Sequence, residues 1–109
     1  MSQIQARTKT GLRTIFGIDR ALGWFVTIYD AEGEPLLERD QVFTKGFGKS
    51  KLLEILEREL EMTPRLEYAL KYIALDLDPQ KGIDKYEELK KYEHDAASCN
   101  GNFAYSNDR

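Results

Sequence analysis

The chain has 109 residues, 41% of them hydrophobic and 32% charged, with 16 Lys and Arg, 19 Asp and Glu, one histidine and one cysteine. That length suits one compact domain with a modest core, and a net charge of −3 argues against broad affinity for nucleic acid, which comes from many Lys and Arg contacts to phosphate. No apolar run nears the roughly 20 residues of a membrane span, "MSQIQARTKTG" lacks the apolar core of a secretory signal, and Cys99 has no second cysteine to pair with, so a cytoplasmic protein without a membrane partner is expected.

The first 20 residues hold Arg7, Lys9, Arg13 and Arg20 against Asp19 alone. Residues 1–10 read as a flexible basic arm. "RTIFGID" (Arg13 to Asp19) and "WFVTIYD" (Trp24 to Asp30) are rich in β-branched and aromatic residues and read as two strands. The short "RALG" between them, with Gly23, favours an antiparallel hairpin. Trp24, Val26 and Ile28 alternate with Phe25, Thr27 and Tyr29, so both faces of the second strand carry apolar groups, as a central strand requires. "DAEGEP" (Asp30 to Pro35) predicts a turn. "LLERDQVFT" (Leu36 to Thr44) then reads as an edge strand whose Glu38, Arg39 and Asp40 discourage pairing with another molecule.

The period changes after Ser50. Leu52, Leu53, Leu56 and Leu60 recur at helical spacing, with Glu54, Glu57, Arg58 and Glu61 on the other face. "MTP" (Met62 to Pro64) supplies a Thr N-cap and a Pro at the first helical position. The second helix, striped by Leu66, Ala69, Leu70, Ile73 and Leu77, is expected to run to about Leu77 and to end at Pro79 and Gly82. "DKYE" (Asp84 to Glu87) has capping-box spacing and predicts a third, shorter helix. Residues 96–109, rich in Ser, Asn and Asp, read as a flexible polar tail. The expected fold is therefore α+β: a three-stranded antiparallel meander packed against two to three C-terminal helices, forming a single domain over residues 11–95.

"TKGFGKSK" (Thr44 to Lys51) looks most like a site. A phosphate-binding P-loop needs G-x-x-x-x-G-K-[ST]. Gly48, Lys49 and Ser50 fit its second half, but the first glycine position is Phe43. The preceding segment also reads as an edge strand rather than the buried parallel strand a P-loop follows. The stretch is read instead as a strand-to-helix turn made by Gly46 and Gly48 and capped by Ser50. Lys45, Lys49 and Lys51 with the free backbone N–H groups remain an anion-binding alternative, and lysines at a helix N-terminus oppose the macrodipole.

Other chemistry is thin. His94 lies in "YEHDA" and Cys99 beyond it, and neighbours on a helix point in different directions, so no metal site, cofactor or catalytic residue is assigned. Asp19 and Asp30 close successive strands and belong at opposite ends of a hairpin. Tyr68 and Tyr72, one helical turn apart, with Tyr86 and Tyr92 on the third helix, are the stronger signal, because tyrosine is enriched at protein interfaces. The functional expectation is a non-enzymatic adaptor or inhibitor that binds another protein through a tyrosine-bearing acidic helical surface. An anion, nucleotide or nucleic-acid binder using the basic arm and residues Lys45, Gly46, Gly48, Lys49, Ser50 and Lys51 is the alternative. An edge strand or a tyrosine face would each serve a homodimer.

Overall fold

A computed structural model describes the backbone of residues 2–103 and the side chains of residues 2–93. The element order is β1 (Ser2–Arg7), β2 (Arg13–Asp19), β3 (Gly23–Tyr29), β4 (Pro35–Asp40), α1 (Lys49–Glu59), α2 (Pro64–Ala74) and α3 (Pro79–Phe103). The four strands form one antiparallel sheet in the order β1-β2-β3-β4, so the expected meander gains a strand at its N-terminal edge.

That strand occupies most of the segment read as a basic arm. Its sequence, SQIQAR, has one large apolar residue and few strand-favouring side chains. The pairing comes from β2, whose Phe16 lies opposite Ile4 and whose Gly17 lies opposite Gln3. Gly17 has φ +154°, and a Cβ there would collide with the backbone carbonyl of Ser2. Glycine is thus what lets β1 close on the sheet.

The pleat sorts the side chains as expected for β3. Ile4, Phe16, Trp24, Val26 and Ile28 face the helices, and Trp24 is a core residue. On the same side Leu52, Ile55, Leu56 and Leu60 of α1 and its end meet Leu66, Ala69, Leu70 and Ile73 of α2 and Ile83 of α3. Each fully buried side chain of this size stabilises the fold by roughly 1.5–3 kcal/mol.

The helix boundaries differ in three places. The N-cap of α1 is Gly48, without a side-chain cap bond, so Ser50 lies inside the helix rather than capping it. The α2 N-cap is Thr63, as expected, its Oγ1 accepting from the Leu66 amide at 3.3 Å. That helix stops at Ala74, three residues early. Asp76 adopts φ +67°, and the amides of Asp76 and Leu77 donate to the carbonyls of Ile73 (2.9 Å) and Tyr72 (2.8 Å). These two bonds make a Schellman close with Asp where Gly usually sits. Asp76 and Asp78 therefore flank a turn rather than share a helix.

The third helix begins at Pro79, not Asp84. Asp78 Oδ1 accepts from the Gln80 amide at 2.8 Å, which makes Asp-Pro the cap and first position of α3 rather than the end of α2. Gly82 sits inside α3 against α2, where a Cβ would lie 2.5 Å from the Tyr68 carbonyl oxygen. Its role is close helix approach, not termination. The helix continues to Phe103 through the first part of the expected tail, and residues 104–109 lie outside the described residues. No helix among the described residues is long and apolar enough to cross a membrane.

Candidate functional site

Helix α1 rests on β3 and Leu37 of β4 packs against the margin of the core, leaving an open gap between the helix and β4. The gap is a cleft of about 250 Å³, floored by Leu37, Phe47 and Ile55 and rimmed by Arg39, Lys45, Lys51, Glu54 and Arg58. Three elements supply the cations. The pleat turns Arg39 toward the helices and Glu38 and Asp40 away from them, because Arg39 pairs with core-facing Val26. The turn after β4 supplies Lys45. Lys51, Glu54, Ile55 and Arg58 fall at i, i+3, i+4 and i+7, one face of α1.

The turn is built by its own side chains. Asp40 Oδ1 accepts from the amides of Val42 (2.8 Å) and Phe43 (2.6 Å), and Gly46 takes φ +79° to bring the chain back. This closes the strand with an Asx-type turn and carries Phe47 into the core.

The cations are unequally engaged. Arg58 Nε donates to Glu59 Oε2 at 2.8 Å, and Arg39 Nη1 donates to the Glu38 carbonyl at 2.8 Å. Lys45 and Lys51 have no hydrogen-bond or ion-pair partner among the described residues. Both are exposed and free to meet a ligand's charge.

The residues expected to form an anion site separate. Lys45, Gly46 and Lys51 line the cleft, whereas Gly48, Lys49 and Ser50 do not. Lys49 reaches across to the end of α2, its Nζ 3.4 Å from the Ala74 carbonyl and 3.9 Å from Asp76 Oδ1. A lysine unfavourably placed for its own helix thus complements the C-terminal dipole of the next one. The basic residues of the first segment also lie elsewhere. Arg7 and Arg13 pair across β1 and β2 on the helix-free face, with Arg13 4.4 Å from the Tyr29 ring centroid. Lys9 Nζ donates to the Arg58 carbonyl at 3.0 Å, at the end of α1.

The four tyrosines divide as well. Tyr68 and Tyr86 meet across the α2–α3 contact with ring centroids 5.5 Å apart, Lys71 Nζ lies 5.1 Å from the Tyr68 ring, and Tyr72 packs beside Gly82. Only Tyr92, 72% exposed, stands clear. Beside these helices a second groove, about 340 Å³, runs between α1 and α2 over Leu53, Met62, Leu70 and Ala74, with Glu57, Glu67 and Lys71 on its rim.

Among the described residues no group of three or more His, Cys, Asp and Glu side chains converges as a metal would require. The side chains of His94 and Cys99 lie outside the described residues. Arg39 and Arg58 are the site residues that sequence reasoning missed. The i+7 spacing of Lys51 and Arg58 was available to find one of them, but the proximity of β4 to α1 was not. The chain matches no protein-family model, no curated protein and no solved structure.

Proposed function

We propose that this protein acts by binding another protein, and that it recognises an anionic group of that partner in the cleft between β4 and α1. The observation that carries this reading is the convergence of Arg39, Lys45, Lys51 and Arg58 on an apolar floor in a chain of net charge −3. A local charge opposite to that of the whole orients an approaching partner and rejects those of the wrong sign. The floor adds apolar burial, worth about 25 cal/mol per Å², so the preferred ligand carries carboxylates beside an aliphatic or aromatic group. A long polyanion such as nucleic acid meets the acidic remainder of the surface.

A second reading keeps the acidic helical surface as the contact. The groove between α1 and α2, with Glu57 and Glu67 at its rim and Tyr68 on the adjoining face, supports it. Such a surface takes a partner's apolar side chain together with a cation.

One experiment separates the two. Tagged full-length chain captures partners from nuclease-treated source lysate, in wild-type form, as Lys45→Glu with Lys51→Glu, and as Tyr92→Ala with Glu67→Lys. Loss of a discrete protein partner in the first variant and its retention in the second is the expected result. The reverse pattern moves the contact to the helices, and a partner released by nuclease makes the ligand nucleic acid.

A further inference from the structure

We infer that the chain docks on a second copy of itself: the turn bearing Phe43 of each copy seats in the groove between α1 and α2 of the other, and the cations of the cleft meet the acids on the groove's rim. This contact is additional to the partner proposed above and competes with it, because it covers the same cleft.

The turn has the form of an anchor. Phe43 is 81% exposed, more than any other large apolar side chain among the described residues, and Val42 beside it is exposed as well. The backbone beneath them is fixed. Asp40 Oδ1 accepts from the Val42 and Phe43 amides, the Thr44 amide donates to the Asp40 carbonyl at 3.2 Å, and Thr44 Oγ1 accepts from the Asp40 amide at 3.3 Å. An anchor held in place before contact loses little freedom on binding. Lys45 follows two residues later in the same turn.

The groove has the form of a socket for it. Leu53, Met62, Leu70 and Ala74 make its floor and Glu57 and Glu67 its acidic rim, around a space of about 340 Å³. A cavity of about 150 Å³ holds a benzene ring, so this space admits a phenylalanine side chain. Lys71 is the one cation on the rim, and it lies over the Tyr68 ring, 5.1 Å from its centroid. The groove therefore calls for an apolar side chain beside a cation, and the turn presents that pair. A buried aromatic anchor ringed by polar contacts is the usual seat of interface energy.

Their placement on one molecule makes the contact reciprocal. Helix α1 separates them, with Lys51, Ile55 and Arg58 on its cleft flank and Leu53 and Glu57 on its groove flank. Lys49 Nζ lies 3.4 Å from the Ala74 carbonyl, so the Ala74 end of the groove is level with the start of α1, where the turn joins the helix. A twofold axis running along the exposed crest of α1 therefore sets Phe43 of each copy over Leu70 and Ala74 of the other, and Lys51 and Arg58 beside Glu57 and Glu67. Such an interface is closed and self-complementary, and it joins unlike charges at both contacts. Glu54, on the crest near the axis, meets its own counterpart, and Lys51 and Arg58 at i−3 and i+4 offset that repulsion.

Sedimentation velocity of the full-length chain, from micromolar to millimolar concentration, tests this. The expected result is a concentration-dependent dimer that weakens as salt screens its charges and that Phe43→Ser weakens at least about tenfold. Lys45→Glu with Lys51→Glu, and Glu57→Lys with Glu67→Lys, each set like charges together and stay monomeric. Mixed one to one, the two variants form a heterodimer, since both contacts then join unlike charges. A benzophenone photo-crosslinker in place of Phe43 gives an independent readout: mass spectrometry of a mixture of ¹⁵N-labelled and unlabelled chains finds it joined to the segments around Leu53 and Leu70 of the other copy. A wild-type chain that stays monomeric, natively folded variants that do not associate when mixed, or cross-links to other segments overturn the inference. Where a variant loses the native circular dichroism, the cross-link decides alone. None of these failures removes the cleft reading, which capture of another protein decides.

Discussion

At the scale of single residues, the aspartates explain more of the chain than any other type. Asp19 Oδ1 accepts from the amides of Ala21 and Leu22, Asp30 Oδ1 from those of Glu32 and Glu34, and Asp40 and Asp78 act alike at the next two boundaries. These carboxylates are occupied in closing turns, which is a structural use. Asp78 has an added pH signature. Burial pushes its carboxyl up, but the opposing interactions, the hydrogen bond from the Gln80 amide foremost, outweigh this and hold it below its ordinary value. A carboxyl lowered in the folded state adds stability above its unfolded pKa of about 3.9, and that part is lost as pH falls through the folded value. Asp78→Asn keeps an acceptor but not the charge, so its deficit in urea unfolding should be about 0.5 kcal/mol at pH 7 and vanish near pH 2. A deficit that is constant with pH would show that the charge has no part in it. Thr14 is the opposite case. Its hydroxyl is buried on the core side of β2 without a hydrogen-bond partner, and a buried unsatisfied polar group costs about 1–3 kcal/mol. Thr14→Val, which keeps the shape and the β-branch, should raise stability by about 1 kcal/mol; an unchanged or lower urea midpoint would mean the hydroxyl is satisfied after all.

At the scale of elements, α2 and α3 form the closest helix pair, and Gly82 sets their distance. An alanine there gains helix propensity of about 1 kcal/mol yet places its Cβ 2.5 Å from the Tyr68 carbonyl and 2.9 Å from the Tyr72 ring. Overpacking of this kind costs about 1–3 kcal/mol, and a backbone carbonyl does not move as a side chain does. Gly82→Ala should therefore destabilise by about 1 kcal/mol net and change the near-ultraviolet signal of the Tyr68–Tyr86 pair, while the same change at exposed Gly11 should leave that signal untouched. The same glycine shows where the sequence was misread. Pro79 and Gly82 carry the usual marks of a helix end, and only the packing reveals Asp78-Pro79 as a start. β2, β3, α1 and the start of α2 were legible because their apolar periods are strong. β1 was not, because Ser2, Gln3, Gln5 and Ala6 have little intrinsic strand preference and are held by β2 across a loop. For the site, Lys45, Gly46 and Lys51 were legible, whereas Arg39 read as edge protection and Arg58 as a solvated helix charge, since each gains meaning only from a neighbour distant in sequence.

At the scale of the whole molecule, the fold distributes its cations so that two basic regions never meet. The helix-free face bears Arg7 and Arg13, the helix side of β4 bears the cleft, and the sheet lies between them. An anionic ligand held in the cleft therefore senses four exposed cations, Arg58 among them already paired to Glu59, together with the Glu54 carboxylate, and is insensitive to the other face. Exposed pairs of this kind contribute about 0.2–1 kcal/mol each, and they are screened once the Debye length shrinks from about 10 Å at 0.1 M salt toward 3 Å at 1 M. The two unengaged lysines and the partly engaged arginines, offset by Glu54, predict that affinity for an acidic peptide falls by about three- to tenfold between 0.05 and 0.5 M salt, with the apolar floor sustaining what remains. Arg7→Gln with Arg13→Gln should leave both the affinity and its salt dependence unchanged, whereas Lys45→Gln with Lys51→Gln should lower the affinity and flatten the dependence. Calorimetric titration at three salt concentrations checks this. If the Arg7 and Arg13 variant flattened the dependence, the ligand would have to run across the helix-free face of the sheet, and the charge of the cleft would be incidental to binding.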